Sequence, residues 1–356
     1  MHVHFREPGY GYKERIKTGS AAAAAGGFTT VCTMPNVNPV PDSVTNLQLQ
    51  TEIIAQDSKI EIIPFASITK GRKGDDLVDY ASLAPMVAGF SDDGNGVQDE
   101  ATMLRAMKGI AATGKILAAH CEVDSLVRGG YVHDSALLRS RGHKGISSES
   151  EWREIERDIR LAAETGCRLH ICHISTREGV ELVREAKGRG LEVTAETGPH
   201  YLAFCDEDIE EEGRFKMNPP LRSRTDRDAL RRGVADGTID VIATDHAPHS
   251  PAEKSRGLAL SAMGVVGLET AFSAVYTTMV KTGLMPWERL VDAMALRPRQ
   301  ILGLSLDPGD YALVDLDEEW TVDPEAFLSM GKASPFEGMR LSGRVKETYY
   351  KGKRVY

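Results

Sequence analysis

MHVHFREPG (residues 1–9) places two histidines one residue apart at the start of the chain. Alternate residues of an extended strand share a face, so His2 and His4 can grip one ion if this stretch is a strand. The same question fixes the strand count. Seven apolar, β-branched runs follow: FTTVCTM (28–34), EIIPFASI (61–68), MVAGFSDD (86–93), ILAAHCE (116–122), RLHICHIS (168–175), EVTAETGPH (192–200) and VIATDHAPH (241–249). Between them lie helix-like stretches such as DEATMLRAMKGIAATG (99–114) and TREGVELVREAKGRG (176–190), whose apolar residues recur at three and four. ERIKTGSAAAAAGG (14–27) ends in two glycines, a helix stop. Strands alternating with helices make a parallel sheet. With MHVHF as a strand the count is eight, which closes a (β/α)8 barrel of TIM type. An open doubly wound sheet would need a glycine-rich fingerprint after its first strand, and GNG (94–96) is too little.

Polar residues collect at the C-terminal ends of these runs: Ser91-Asp92-Asp93, His120-Cys121-Glu122, His173, His200 and Asp245-His246. In a (β/α)8 barrel that end carries the active site. After about residue 305 the texture changes. GDYALVDLD (309–317), EEWTVD (318–323) and RVKETYYKGKRVY (344–356) are strand-like pieces of a small β unit, so we expect a barrel over 1–304 and a β domain over 305–356.

Composition removes several classes of partner. In 356 residues, 52 acidic side chains outnumber 43 basic ones and no run of Lys and Arg occurs, which argues against nucleic acid or an anionic membrane. No apolar stretch approaches the roughly 20 residues needed to span a bilayer. The five cysteines (Cys32, Cys121, Cys167, Cys172, Cys205) read as reduced thiols of a cytoplasmic protein.

Strand parity sorts the chemistry. In RLHICHIS, Leu169, Ile171 and His173 share a face, which turns His173 into the barrel mouth and sends His170 and Cys172 the other way, His170 toward a helix. That split also rejects a zinc-finger reading of Cys167, His170, Cys172 and His173. Asp245 follows Val241 and Ala243 inward, and His120 follows Ile116 and Ala118. The converging set is His2, His4, His120, His173, Asp245 and one carboxylate of Asp92-Asp93. Four imidazoles and two carboxylates suit borderline divalent ions, zinc first, and are enough for two. Such a pair lowers the pKa of a bridging water, and Asp245 can relay its proton to a leaving group. Hydrolysis at a carbonyl or a phosphoryl centre both remain open on spacing alone.

The segments HVHFREPG (2–9), GGFTTVCTMPN (26–36), FSDDG (90–94), AAHCE (118–122), CHIST (172–176), MNPPLR (217–222), ATDHAPH (243–249) and MGVVGLET (263–270) resemble, in order, those of bacterial long-type dihydroorotases of the amidohydrolase superfamily. The resemblance implies that His2, His4 and Asp245 hold one zinc, that His120 and His173 hold the other, and that Asp93 and a hydroxide bridge them. Asp92 would fix the loop. Many relatives bridge their metals with a carboxylated lysine; FSDDG offers none, which favours this branch over hydantoinases and allantoinases. The implied reaction is reversible hydrolysis of the ring amide of (S)-dihydroorotate to N-carbamoyl-L-aspartate, in pyrimidine synthesis, with Asp245 as general acid and base. Arg6 matches the family's carboxylate clamp, with Asn36 and His249 beside it. Asn218 and the Met263-Gly264 backbone match positions at the ring's amide edge, and His4 also borders the substrate. APHSPAEKSRGLALSAMG (247–264) is either a lid or an ordinary surface loop. A homodimer and an assembly with aspartate transcarbamoylase, as some dihydroorotases form, are compatible with the resemblance. So is a non-catalytic homologue, although such proteins usually lose metal ligands and all six are kept. The family's chains begin some fifty residues earlier, with strands of a β-sandwich. The expectation is therefore that Met1 is internal to a longer protein, that 305–356 is the C-terminal half of that sandwich, and that an upstream extension improves solubility and metal binding.

Overall fold

The computed structural model describes residues 1–356. Helices form where the sequence periodicity places them: Ile16–Ala25, stopped by Gly26, then Glu100–Ala111 behind an Asp99 cap and Arg177–Gly188 behind a Thr176 cap. Each cap side chain accepts from the third helical residue's N–H, satisfying a donor the helix itself leaves free.

The strands between helices are short: β1 (Thr30–Thr33), β2 (Glu61–Pro64), β3 (Gly89–Phe90) and β4 (Ile116–Ala119). A small parallel side pair follows, β5 (Val132–His133) with β6 (Gly145–Ile146). Then come β7 (Arg168–Ile171), β8 (Val193–Thr197) and β9 (Val241–Ile242). β3-β4-β7-β8-β9 form one parallel sheet and β1-β2 another. The Ala66–Phe90 bridge joins the two sheets on one side. On the other side the N-terminal segment closes the ring. Val3 bridges both Thr33 and His246, Val3 N–H donates to Cys32 O at 3.0 Å, and His4 N–H donates to His246 O at 2.9 Å. Residues 2–4 are thus the eighth stave of a (β/α)8 barrel.

Side-chain alternation divides the core accordingly. Cys32, Met34, Phe65, Ile116, Ala118, Cys172, Val241 and Ala243 pack together inside the ring. Val3, Phe5 and Val31 face the Ile16–Ala25 helix. Leu117, Ala119, Leu169, Ile171, Val193 and Ala195 face outward onto the other helices. All five cysteines are buried and unpaired. No helix is long and apolar enough to cross a membrane.

The C-terminal region forms an antiparallel sheet of β10 (Tyr311–Thr321), β11 (Arg340–Tyr350) and β12 (Lys353–Arg354). The two pieces GDYALVDLD and EEWT belong to one strand, irregular between Asp315 and Glu319. This sheet is stitched to the barrel helices: Thr348 Oγ1 donates to Ala24 O at 2.6 Å, and Ser273 Oγ donates to Gly343 O. The connection between β10 and β11 reaches back to the barrel, where Ser329 Oγ donates to buried Glu14 at 2.5 Å and Val266 N–H donates to Ala333 O at 2.9 Å. A groove of about 370 Å³ lies between the sheet and the barrel helices, lined by Phe28, Trp287, Met294, Leu302 and Tyr311.

Candidate metal centre and substrate pocket

His2 and His4 project from the closing stave, and the other donors sit just beyond the C-terminal ends of β3, β4, β7 and β9. The structure gathers all six. Asp93 lies among the four imidazoles: Oδ1 is 3.4 Å from His2 Nε2, 3.6 Å from His120 Nδ1 and 3.3 Å from His173 Nε2, and Oδ2 is 3.5 Å from His4 Nε2. Two donor groups lie among these six, His2-His4-Asp93 and Asp93-His120-His173, with Asp93 common to both, and a third joins His2 to Cys172 and Glu196. Asp245 Oδ1 adds to the first, 2.9 Å from His4 Nε2 and 3.4 Å from His2 Nε2. Its side chain is the most open of the six, 11% exposed against 0–4% for the others.

Backbone geometry, not strand parity, brings His173 in. His173 has φ +33° and Asp245 φ +44°, left-handed conformations that cost a non-glycine residue on the order of 1–3 kcal/mol. The expectation for RLHICHIS is corrected on this point. Leu169 and Ile171 face the helices, His170 and Cys172 face the barrel interior, and His173 reaches the same interior because the chain leaves extended geometry there. His170 contacts Thr194 and Glu196 rather than a helix.

The electrostatics favour cations. Burial opposes charge on Asp93, yet the charge of His2 and hydrogen bonds from His120 and His173 hold its carboxyl well below the usual range. Burial lowers the His120 pKa, but Asp93 and Glu122 outweigh it and raise it to about 10. Asp245 is likewise opposed by burial and held down to about 2 by His2 and His4. His2 Nε2 is buried without a hydrogen-bond partner, 3.4 Å from Asp93 Oδ1. An unsatisfied imidazole nitrogen beside a buried carboxylate is what a divalent-cation site requires, so the donor set fits.

Neighbouring groups hold two of these side chains. His2 Nδ1 lies 2.6 Å from Glu196 Oε1 and His4 Nδ1 lies 2.8 Å from Asn36 Oδ1, whereas His120 Nε2 is 3.9 Å from Glu122 Oε2, beyond hydrogen-bond reach. Asp92 points away from the centre and accepts from Ile68 N at 2.8 Å, Thr69 N at 3.2 Å and the Thr69 hydroxyl. His200 is buried close by with Nε2 unpartnered, its pKa lowered to about 4 by burial.

Arg6 is 7% exposed, and its single side-chain hydrogen bond runs from Nε to Pro248 O at 3.2 Å. It has no carboxylate partner. Burial lowers its pKa to about 10 against the pull of Asp245 and Asp93. Asn218 Nδ2 donates to Glu122 at 3.1 Å, while its buried Oδ1 has no partner. His249 is engaged at both nitrogens: Nε2 donates to Met263 O at 2.8 Å and Nδ1 accepts from Lys13 Nζ at 3.2 Å. Burial, with Arg6 and Lys13 nearby, lowers its pKa to about 3. The Met263-Gly264 edge is held internally as well, with Gly264 N–H on Lys216 O at 3.0 Å. Gly264 has φ +133°, and a Cβ there would lie 2.6 Å from Ala247 O, so only glycine fits.

Glu196, Glu122, Lys13 and Lys254 were not singled out from sequence as site residues. Lys254 is a buried lysine whose Nζ donates to Lys216 O at 3.0 Å, Ala262 O at 2.8 Å and Gly264 O at 2.7 Å. Three donors meeting three carbonyls tie Lys254 to the Ala262–Gly264 edge and to Lys216. Replacing Lys254 with Met strands three acceptors at about 1–3 kcal/mol each, partly offset by removing a buried charge. The expected outcome is a Tm lower by about 2–6 °C and faster amide exchange at Gly264; unchanged exchange there would mean the edge is held by something else.

A closed (β/α)8 barrel with four histidines and two aspartates at its C-terminal rim defines the class of cyclic amidohydrolases, and comparison with known proteins agrees. The L-hydantoinase (dihydropyrimidinase) of Arthrobacter aurescens superposes with a TM-score of 0.88 at 25% identity, covering 99% of this chain and 83% of that one. The dihydropyrimidinase of Brevibacillus agri shares the fold, with a TM-score of 0.83 at 19% identity, covering 99% of this chain and 82% of that one. The dihydro-orotase-like family profile matches residues 1–179. The dihydroorotase of Bacillus caldolyticus is 48% identical over 364 aligned positions, covering all of this chain and 85% of that protein. The dihydroorotase of Fusobacterium nucleatum is 48% identical over 363, covering 100% of this chain and again 85% of the relative. The chain belongs to the dihydroorotase family.

Proposed function

We propose that this protein is a dihydroorotase that opens and closes the ring amide between (S)-dihydroorotate and N-carbamoyl-L-aspartate in pyrimidine synthesis. The observation that carries the choice of substrate is Arg6: a buried guanidinium without a carboxylate partner, at the rim beside Asp245 and Asp93. An unpaired buried cation calls for an anion. Dihydroorotate brings a carboxylate to it, whereas hydantoin and allantoin do not.

His2, His4 and Asp245 would hold one divalent cation and His120 and His173 a second, with Asp93 shared. When bound, zinc ions there supply a water of lowered pKa and polarise the scissile carbonyl. The rest of the chemistry falls to the chain. Arg6 holds the substrate carboxylate with its fork-shaped guanidinium, flanked by Asn36 and His249. Asn218 Oδ1, buried and unpartnered, accepts from a ring N–H. The edge tied by Lys254 keeps the Met263-Gly264 backbone in register with the ring edge, so the carbonyl sits at attack distance without further ordering. The Asp245 carboxylate takes a proton from the attacking water and delivers it to the departing nitrogen. Ring closure runs the same path in reverse.

Arg6→Gln tests the substrate assignment. A charge-assisted clamp is worth about 1.5–3 kcal/mol, so KM for dihydroorotate should rise roughly 10- to 100-fold with metal content unchanged. Wild-type turnover of dihydroorotate should exceed that of hydantoin and allantoin. Faster hydantoin turnover, or an Arg6→Gln enzyme with wild-type KM, overturns the reading.

A further inference from the structure

From His2 into the barrel runs a polar chain whose other members the mechanism does not use. Its members come from the closing stave, β7 and β8. His2 Nδ1 is 2.6 Å from Glu196 Oε1, Glu196 Oε2 is 3.2 Å from His170 Nε2, and His170 Nδ1 is 2.8 Å from Thr194 Oγ1. The β7–β8 register sets His170 directly opposite Thr194, which brings the strands' inward side chains together. His2, Glu196 and His170 are each no more than 1% exposed.

A carboxylate in the apolar interior of a barrel is costly and persists only where it has partners. Glu196 has an imidazole on each side. We infer that Glu196 is a positioning residue for the metal centre: by accepting from His2 Nδ1–H it fixes the ring and tautomer of His2, so that the Nε2 lone pair faces Asp93 and Asp245, while the His170 ring, hydrogen-bonded to Thr194, packs 3.2 Å from the carboxylate's other oxygen without hydrogen-bond geometry. His2 needs such an anchor more than the other ligands do. It sits on the closing stave, whose ladder contact is the bridge at Val3. Glu196 is the one hydrogen-bond partner of the His2 ring, at Nδ1; Nε2 has none and lies 3.4 Å from Asp93 and from Asp245. A second carboxylate oriented on a ligating histidine also raises its donor strength.

The inference rests on the metal-site reading but not on the identity of the substrate. Its test is Glu196→Gln, which keeps shape and an acceptor while removing the charge. Metal-stripped wild type and variant are titrated with zinc against a chromophoric chelator, and cobalt(II)-loaded samples are compared by visible absorption. The expected result is metal affinity about 10–100-fold weaker in the variant and an altered cobalt spectrum, with the Tm of the stripped proteins nearly equal. Thr194→Val, which removes only the far end of the chain, should weaken affinity by less and keeps the test available if Glu196→Gln misfolds. Wild-type affinity and spectrum in both variants overturn the inference, as does wild-type protein that binds no metal. If affinity falls as expected but wild type fails to open dihydroorotate, the positioning role stands and the substrate assignment falls.

Discussion

Asp245→Asn should lower dihydroorotate ring opening by about 10²–10⁴-fold at saturating zinc, the range a positioned general acid and base contributes. Asn keeps the size of the side chain but cannot accept and release the proton. The substitution is informative because Asp245 is peripheral to the cluster. It is the most open of the six donors, and the group formed by Asp93, His120 and His173 does not include it. The variant should therefore keep metal on that group, and adding zinc should not rescue the rate. A second signature is thermodynamic. The Asp245 pKa in the fold is depressed to about 2, below the unfolded value near 3.9. Its favourable contribution is present above the unfolded value and disappears as pH falls through about 2. In chelator-stripped protein, the wild type should lose stability between about pH 4 and 2 more steeply than Asp245→Asn. Ring opening by the variant at the wild-type rate would remove Asp245 from the mechanism.

What the sequence made legible was the architecture. β-branched runs alternating with helical periodicity count to seven, and the eighth stave could be read from MHVHF because only a strand gives its two histidines a common face. Polar termini on nearly every run pointed to the C-terminal rim. Parity failed at RLHICHIS because it assumes extended backbone to the end of the strand. His173 leaves that geometry at φ +33°, and the break in alternation brings its own side chain to the same face as Cys172. Nothing in the letters CHIST announces such a turn. Glu196 was illegible for a different reason. Its role exists only through the register that sets His170 opposite Thr194 and through closure of the ring, both long-range facts. Lys254 hid in a segment whose composition suits a mobile loop. Its burial depends on three carbonyls from two separate stretches, Lys216 and Ala262-Gly264, converging on one ammonium. The β unit after residue 305 could be read as strands, but not the contacts through which Ser329 reaches Glu14, where His246 Nε2 lies 3.4 Å away.

Asp93→Asn should have the larger effect on the metal centre. Asp93 is the one carboxylate within 3.3–3.6 Å of all four imidazoles, and both donor groups share it. Without its charge, two histidine pairs face each other around a neutral amide, whose NH₂ is a donor where an acceptor is needed. Breaking a buried ionic arrangement on one side costs about 3–5 kcal/mol, and here it removes the anion that offsets both cations. The expected outcome is loss of stoichiometric zinc on dialysis and ring opening below about 10⁻⁴ of wild type, with the far-UV circular dichroism of the barrel retained. Asp92 cannot substitute. Its Oδ1 accepts from the backbone of Ile68 and Thr69 and its Oδ2 from the Thr69 hydroxyl, which ties it to the loop after β2. Asp92→Asn should accordingly lower Tm while leaving zinc bound. The two adjacent aspartates thus separate cleanly by measurement: metal content follows Asp93 and thermal stability follows Asp92. If Asp93→Asn retained two zinc ions per chain, the shared-carboxylate centre would be wrong, and with it the assignment of His2 and His4 to one ion and His120 and His173 to the other.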